Sequence, residues 1–159
     1  IGSGCILMSI LKEKKNFIGT GIDISNKSLQ ISKVNGHKLR LNNRLKLFKS
    51  NIDNFNTGKY DLIVSNPPYI KKNKLKCLEK DISFEPKQAL DGGLDGLSVI
   101  RKVIIKSSEL IKKNGHLIIE IDFDQKNKVK KILQNKGFYI KEIFKDLSNH
   151  DRCIVSVKI

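Results

Sequence analysis

The run Asn66-Pro67-Pro68-Tyr69 holds the residue types that could do chemistry most directly: a carboxamide and a phenol on either side of two consecutive prolines. Each proline locks φ and removes an N–H donor, so the backbone is fixed where it leaves the preceding apolar run. A planar nitrogen, such as a side-chain carboxamide or the exocyclic amine of a base, has a delocalised lone pair and is a poor nucleophile. An acceptor pair helps. The Asn66 side-chain oxygen and the Pro67 carbonyl can grip both N–H groups and turn the nitrogen toward an electrophile. Tyr69 would add an apolar, stackable wall, and the prolines add rigidity, because a misplacement of about 1 Å costs on the order of 100-fold in rate. The plainer alternative is a rigid turn with a buried tyrosine.

A second constellation lies at the start of the chain, where Gly2 and Gly4 bracket Ser3 just before a helical pattern. Glycine there lets a ligand approach backbone amides at a helix N-terminus. Asp23 ends the next apolar run, about 20 residues on, where an acidic side chain in a dinucleotide-type fold accepts hydrogen bonds from ribose hydroxyls. Both features have structural alternatives: a glycine turn, and an aspartate capping a helix beside Ser25 and Asn26.

The elements that must position these residues alternate between helix and strand, which predicts an α/β domain with a mostly parallel sheet. Residues 4–15 read as an amphipathic helix with Ile6, Leu7, Ile10 and Leu11 on one face, and residues 17–24 as an apolar strand. Ser25 or Asn26 can cap the next helix, through Leu29, Ile31 and Val34. Residues 45–49 and 60–65 read as strands, the second leading into the Pro-Pro turn. Residues 70–94 lack a period and read as a long loop, of the kind that tends to be functional. Residues 96–113 read as a helix, Asn114-Gly115 as a turn, and residues 116–121 as a buried strand. A basic helix over 125–135 precedes strands at 138–145 and 152–158, whose short connection predicts antiparallel pairing.

The composition limits the class. At 159 residues, 39% hydrophobic and 30% charged, the chain reads as one globular domain. No apolar stretch approaches the ~18 residues of a membrane span. Cys5, Cys77 and Cys153 lack metal-ligand spacing, so reduced thiols in a cytoplasmic protein are the economical reading, with no metal site. The formal charge of +15 suggests a polyanionic partner. The lysines are scattered, however, and Lys, Asn and Ile are abundant together, as codon bias in an AT-rich genome would produce. Direct nucleic-acid binding is therefore compatible with the charge but not required by it.

Taken together, Gly-Ser-Gly, Asp23, "NPPYI", "FEPKQALDGGLDGL" (84–97), "EIDFDQ" (120–125) and "KDLSNHDR" (145–152) resemble the release-factor glutamine N5-methyltransferases. These S-adenosylmethionine enzymes methylate the glutamine of the Gly-Gly-Gln loop in class 1 peptide chain release factors. The resemblance covers essentially the whole chain. Asn-Pro-Pro-Tyr is shared with adenine-N6 and some guanine-N2 methyltransferases, whereas the Glu-Pro-x-x-Ala-Leu segment and its Gly-Gly-x-Asp-Gly continuation are more particular to the glutamine enzymes. The resemblance implies a Rossmann-like S-adenosylmethionine-dependent methyltransferase fold with an antiparallel last strand. It implies that Gly2, Ser3 and Gly4 line the methionine part of the cofactor, that Asp23 binds its ribose and that Asn51 lies beside the adenine. Asn66 and Pro67 would hold the glutamine amide, with Asn66 also at the cofactor; Pro68 and Tyr69 would flank it, and Glu85, Pro86 and Ala89 would shape the substrate side. A monomer acting on release factors is expected, by direct in-line transfer without metal or covalent intermediate.

Three departures accompany the resemblance. Asn51 stands where such enzymes usually have aspartate, and Asp122 where they commonly have glycine. The chain also begins inside the cofactor motif, so residues 1–159 are expected to be a catalytic domain lacking its first strand and the helical domain that docks the release factor, and to bind cofactor poorly alone. Other readings stay open: a ribosomal-protein glutamine methyltransferase, an adenine or guanine methyltransferase of nucleic acid, or a noncatalytic RNA-binding domain. His37, His116 and His150 are read as structural or surface residues.

Overall fold

The computed structural model describes residues 1–74 and 89–159, which gather into two compact units, Ile1–Phe55 and Asn56–Ile159. In the first unit, helix α1 (Cys5–Glu13) leads to strand β1 (Gly19–Asp23), helix α2 (Asn26–Lys38) and strand β2 (Leu45–Lys49), which pairs parallel with β1. Ser25 caps α2 by accepting from the Ser28 amide. The core is small: Met8, Leu11 and Leu41, with Leu7 and Leu45 packed against them. The inward face of α1 therefore runs through positions 4, 7, 8 and 11, and Ile6, expected inside, is exposed. On α2 the buried residues are Ser32 and Gly36, where a Cβ would strike Leu45, while Ile31 and Val34 face solvent. Small side chains let α2 sit close to the strands, a feature that apolar periodicity cannot show.

In the second unit, strand β3 (Tyr60–Ser65) pairs parallel with β4 (Ile111–Glu120). Strand β6 (Asp151–Lys158) pairs antiparallel with β4 and with β5 (Phe138–Lys145), giving the order β3-β4-β6-β5. Three of these four strands thus run the same way and the last in the chain runs against them, as expected. Helix α3 (Ser98–Leu110) packs on β3 and β4, helix α4 (Lys126–Asn135) on β5 and β6, and the helices touch each other. The alternate residues Leu117, Ile119 and Ile121 are fully buried, with Ile100 and Ile104 of α3, Val129 and Leu133 of α4, and Ile154. Burying each such side chain contributes about 1.5–3 kcal/mol.

Several element boundaries differ from expectation by one or two residues, and those around residue 110 by more. The helix expected to reach residue 113 ends at Leu110, because Ile111 already pairs with Tyr60. Asn114-Gly115 is not a chain reversal but a bulge within β4: Asn114 has φ 65, the register shifts between Tyr60 and Leu62, and Gly115 packs against Ile111 and the Asp61 carbonyl. Among the described residues no helix is long and apolar enough to cross a membrane.

Candidate active site

Strand β3 delivers Asn66-Pro67-Pro68-Tyr69 at its C-terminal end, the edge of an α/β sheet where ligands bind. Asn66 is exposed, and its carboxamide has no hydrogen-bond partner among the described residues; Pro67 is buried and Pro68 and Tyr69 are partly so. The loop beyond is held by two separate segments. Ile70 donates to the Leu90 carbonyl at 3.1 Å and accepts from Gly92 at 2.9 Å, and Lys72 donates to Gly93 at 2.9 Å, so residues 70–72 form a short parallel ladder with residues 90–93.

The glycines of that second segment have a steric reason. A Cβ on Gly92 would sit 2.8 Å from the Tyr69 backbone and from the Gly96 carbonyl, and one on Gly96, at φ 75, would sit 2.5 Å from the Tyr69 carbonyl. Asp91 and Asp95 fold the segment by accepting from the Gly93 and Leu97 amides. Arg101, one turn into α3, bonds Asp95 and holds its carboxyl down to about 2.

The end of β4 and the segment after it meet the same loop. Tyr69 donates its hydroxyl to the Glu120 Oε1 at 3.1 Å. Burial pushes the phenol upward, and the Glu120 carboxylate adds to that shift by its charge and by accepting the proton. Gln125 is buried and its amide is fully used: Nε2 donates to the Tyr69 carbonyl at 3.2 Å and the Gly96 carbonyl at 3.1 Å, while Oε1 accepts from the Asp122 amide at 3.0 Å. Lys71 pairs with Asp124 at 2.6 Å, lowering that carboxyl.

Arg152 lies beside this segment, forked on Asp146 at 2.9 and 3.1 Å, 3.3 Å from the Ile121 carbonyl and 3.8 Å from Asp122. Asp122 thus finds a cation in Arg152 and accepts from the Phe123 amide at 2.8 Å. Ala89 is exposed, next to the Leu90 carbonyl used by Ile70; Glu85 and Pro86 lie outside the described residues.

The other expected site residues lie in the first unit. Gly2 and Gly4 both have positive φ, 57 and 83. Their turn is tied to α2, with Ser32 donating to the Gly2 carbonyl at 2.8 Å and Asn35 to the Ser3 carbonyl at 3.0 Å. Asp23 accepts from the Gly2 amide at 2.9 Å, the Ser25 amide at 2.8 Å and the Ile1 nitrogen at 3.1 Å. Burial pushes its carboxyl upward, the Ser25 and Gly2 amides pull it downward, and the group lies below its ordinary value. Asn51 is exposed; its oxygen accepts from the Asp53 amide at 3.0 Å and caps a short 3-10 turn. Sequence reasoning missed Glu120, Gln125, Gly92 and Gly96 as parts of the site; the signal was their presence in the two distinctive segments, without a role.

Residues 1–147 match the family described as Methyltransferase small domain. A release factor glutamine methyltransferase of Caulobacter vibrioides is 36% identical over 160 residues, covering 99% of this chain and 55% of that protein. A bifunctional methyltransferase of Rickettsia prowazekii is 39% identical over 155 residues, 96% of this chain and 30% of that protein. The chain thus spans about half the length or less of these curated relatives. Among solved structures, a ribosomal protein L11 methylase from Lactobacillus delbrueckii superposes with TM-score 0.69 at 20% identity, over 99% of this chain and 67% of that one. A magnesium protoporphyrin IX methyltransferase from Synechocystis, solved with bound S-adenosylmethionine, gives 0.66 at 16% identity, over 99% and 66%. The fold is the Rossmann-like fold of S-adenosylmethionine-dependent methyltransferases, and the chain belongs to the methyltransferase small domain family.

Proposed function

We propose that the polypeptide carrying this chain transfers a methyl group from S-adenosylmethionine to the side-chain amide nitrogen of the glutamine in the Gly-Gly-Gln motif of peptide chain release factors. The observation that carries this reading is an exposed Asn66 carboxamide, without a hydrogen-bond partner among the described residues, on a loop whose following residues are held by two segments. The 34–37% identical relatives are named release factor glutamine methyltransferases, which supports a glutamine of a release factor as acceptor.

The residues of the first unit fit the cofactor. A Cβ on Gly2 would meet nothing within 4 Å, so that backbone faces open space, and α1 has no side-chain cap, leaving its first-turn amides for a carboxylate. Asp23, held ionised, uses part of the roughly four lone-pair sites of a carboxylate and keeps one on Oδ1 for a ribose hydroxyl. When bound, the cofactor supplies an electrophilic methyl group on a sulfonium. Asn51 would meet the adenine through its Nδ2 donor, since its oxygen serves Asp53.

The Asn66 Oδ1 and the Pro67 carbonyl accept the two N–H groups of the substrate amide and so aim its nitrogen. Tyr69 flanks the amide with its ring fixed by Glu120, with Pro68 and Ala89 on the substrate side. The extra proton leaves after transfer, so no strong base is required.

The test is to incubate the polypeptide with labelled S-adenosylmethionine, a release factor, a ribosomal-protein extract and RNA, and to map the methyl group by mass spectrometry. Label on the Gly-Gly-Gln glutamine is expected. The +15 charge favours a second reading, methyl transfer to a nucleic-acid base amine, and label on RNA would replace the first reading with it.

A further inference from the structure

Gln125 ends the "EIDFDQ" segment and has no part in the chemistry above, yet it is among the few buried polar residues of the described chain segments. Its partners come from far away in sequence: the Tyr69 carbonyl, 56 residues off, and the Gly96 carbonyl, 29 residues off. Both N–H groups of one carboxamide thus close onto the two segments that meet at Tyr69, while its oxygen is fixed by the Asp122 amide. A buried carboxamide with every strong group paired holds its neighbours in one geometry, and leaving such partners unpaired is costly.

The Tyr69 carbonyl lies two residues beyond the Pro67 carbonyl, with only Pro68 between the two residues. A shift at Tyr69 therefore passes through a stiff linker to the acceptor pair. Steric limits point the same way: at Gly96 a Cβ would stand 2.7 Å from the Gln125 Nε2.

We infer that Gln125 is a positioning residue for methyl transfer, a clamp whose amide sets the placement of the Asn66 and Pro67 acceptors by gripping the Tyr69 and Gly96 carbonyls together. The catalytic consequence rests on the proposed methyl-transfer reading; the clamp does not. Asn or Asp cannot replace it, since each is a methylene shorter. Glutamate has the right length but the wrong groups: its carboxylate would face two carbonyl oxygens with lone pairs, and only its protonated form can donate, to one of them. The charged groups around the position are Asp122, Asp124 and Lys126 on its own turn, Lys71 beyond Tyr69, Asp95 beside Gly96, and Arg152 from β6.

The test compares wild type, Gln125→Met and Gln125→Glu by amide hydrogen exchange and by methyl-transfer kinetics across pH. The Ile70, Gly92 and Lys72 amides, which tie residues 70–72 to residues 90–93, should exchange about tenfold faster in both variants at neutral pH, with the β4 amides unchanged as the folding control. In Gln125→Glu this excess should shrink as the pH falls and the carboxyl gains its proton; in Gln125→Met it should not. On the methyl-transfer reading, kcat should fall by roughly 100-fold with KM for the cofactor little changed.

Unchanged protection in both variants, or Gln125→Glu behaving as wild type at every pH, would overturn the clamp whether or not the acceptor is glutamine. Accelerated exchange with undiminished kcat on the acceptor that wild type methylates would overturn the positioning role and leave a structural one. Wild type that methylates another acceptor would sink the glutamine reading, and the exchange data would still decide the clamp.

Discussion

Tyr69 and Glu120 meet across 51 residues of sequence, and their hydrogen bond turns an aromatic side chain of a loop into one with a fixed orientation. Tyr69→Phe keeps the ring and removes the bond, so stability should fall by about 1 kcal/mol, with a loss of methyl transfer that is small beside that of Asn66→Ala. Chemical denaturation and initial rates check both. The phenol titrates above its ordinary value of 10.0, chiefly because it is buried and also because Glu120 is close. The contribution of this bond is therefore fully present below pH 10 and lost as the pH rises through the raised value. A stability difference between wild type and Tyr69→Phe that disappears already near pH 8 would contradict this assignment.

At the scale of elements, the segment 89–97 and the turn after β4 close on the Asn-Pro-Pro-Tyr loop from separate directions. Gly96→Ala should cost about 1–3 kcal/mol, because φ 75 strains any side chain and the new Cβ would overlap the Tyr69 carbonyl. The melting temperature should drop by roughly 2–10 °C and methyl transfer with it; an unchanged melting temperature would mean that the segment does not pack there.

The strands at 45–49, 60–65 and 138–145 were legible to the residue, since each is an apolar or β-branched run between turn residues. The Asn114-Gly115 bulge was misread as a turn because both features need the same left-handed backbone, and only the pairing of Tyr60 with Ile111 separates them. Asn66-Pro67-Pro68-Tyr69 stood out because proline constrains its own neighbourhood. Gln125 did not, because its meaning lies in carbonyls of two distant segments that no local pattern predicts.

At the scale of the molecule, an excess of fifteen positive charges is spread over both units, and Asp95, Asp124, Asp146 and Asp151 each pair with a lysine or arginine. Asp95, Asp124, Asp146 and Asp23 all lie below the ordinary 3.8, Asp95 at about 2 under the hydrogen bonds of Arg101. Groups shifted in this direction add stability that is complete above the unfolded value and lost as protons bind in the fold. Resistance to denaturant should therefore fall as the pH drops from about 4 to about 2, and Asp95→Asn should make that fall shallower. An identical pH dependence would mean that the Asp95–Arg101 pair is not formed in solution.

The central claim is that the Asn66 side-chain oxygen helps to hold the amide that receives the methyl group. Its most direct test is the single-turnover rate of methyl transfer to the release-factor glutamine in wild type and Asn66→Ala, with cofactor binding measured on both by titration calorimetry. The account predicts a loss of about 100-fold or more in rate with the transferred methyl still on glutamine. It also predicts that calorimetry shows the loss to exceed any change in cofactor affinity. A variant that transfers methyl at the wild-type rate, or one whose entire loss is explained by weaker cofactor binding, would contradict it.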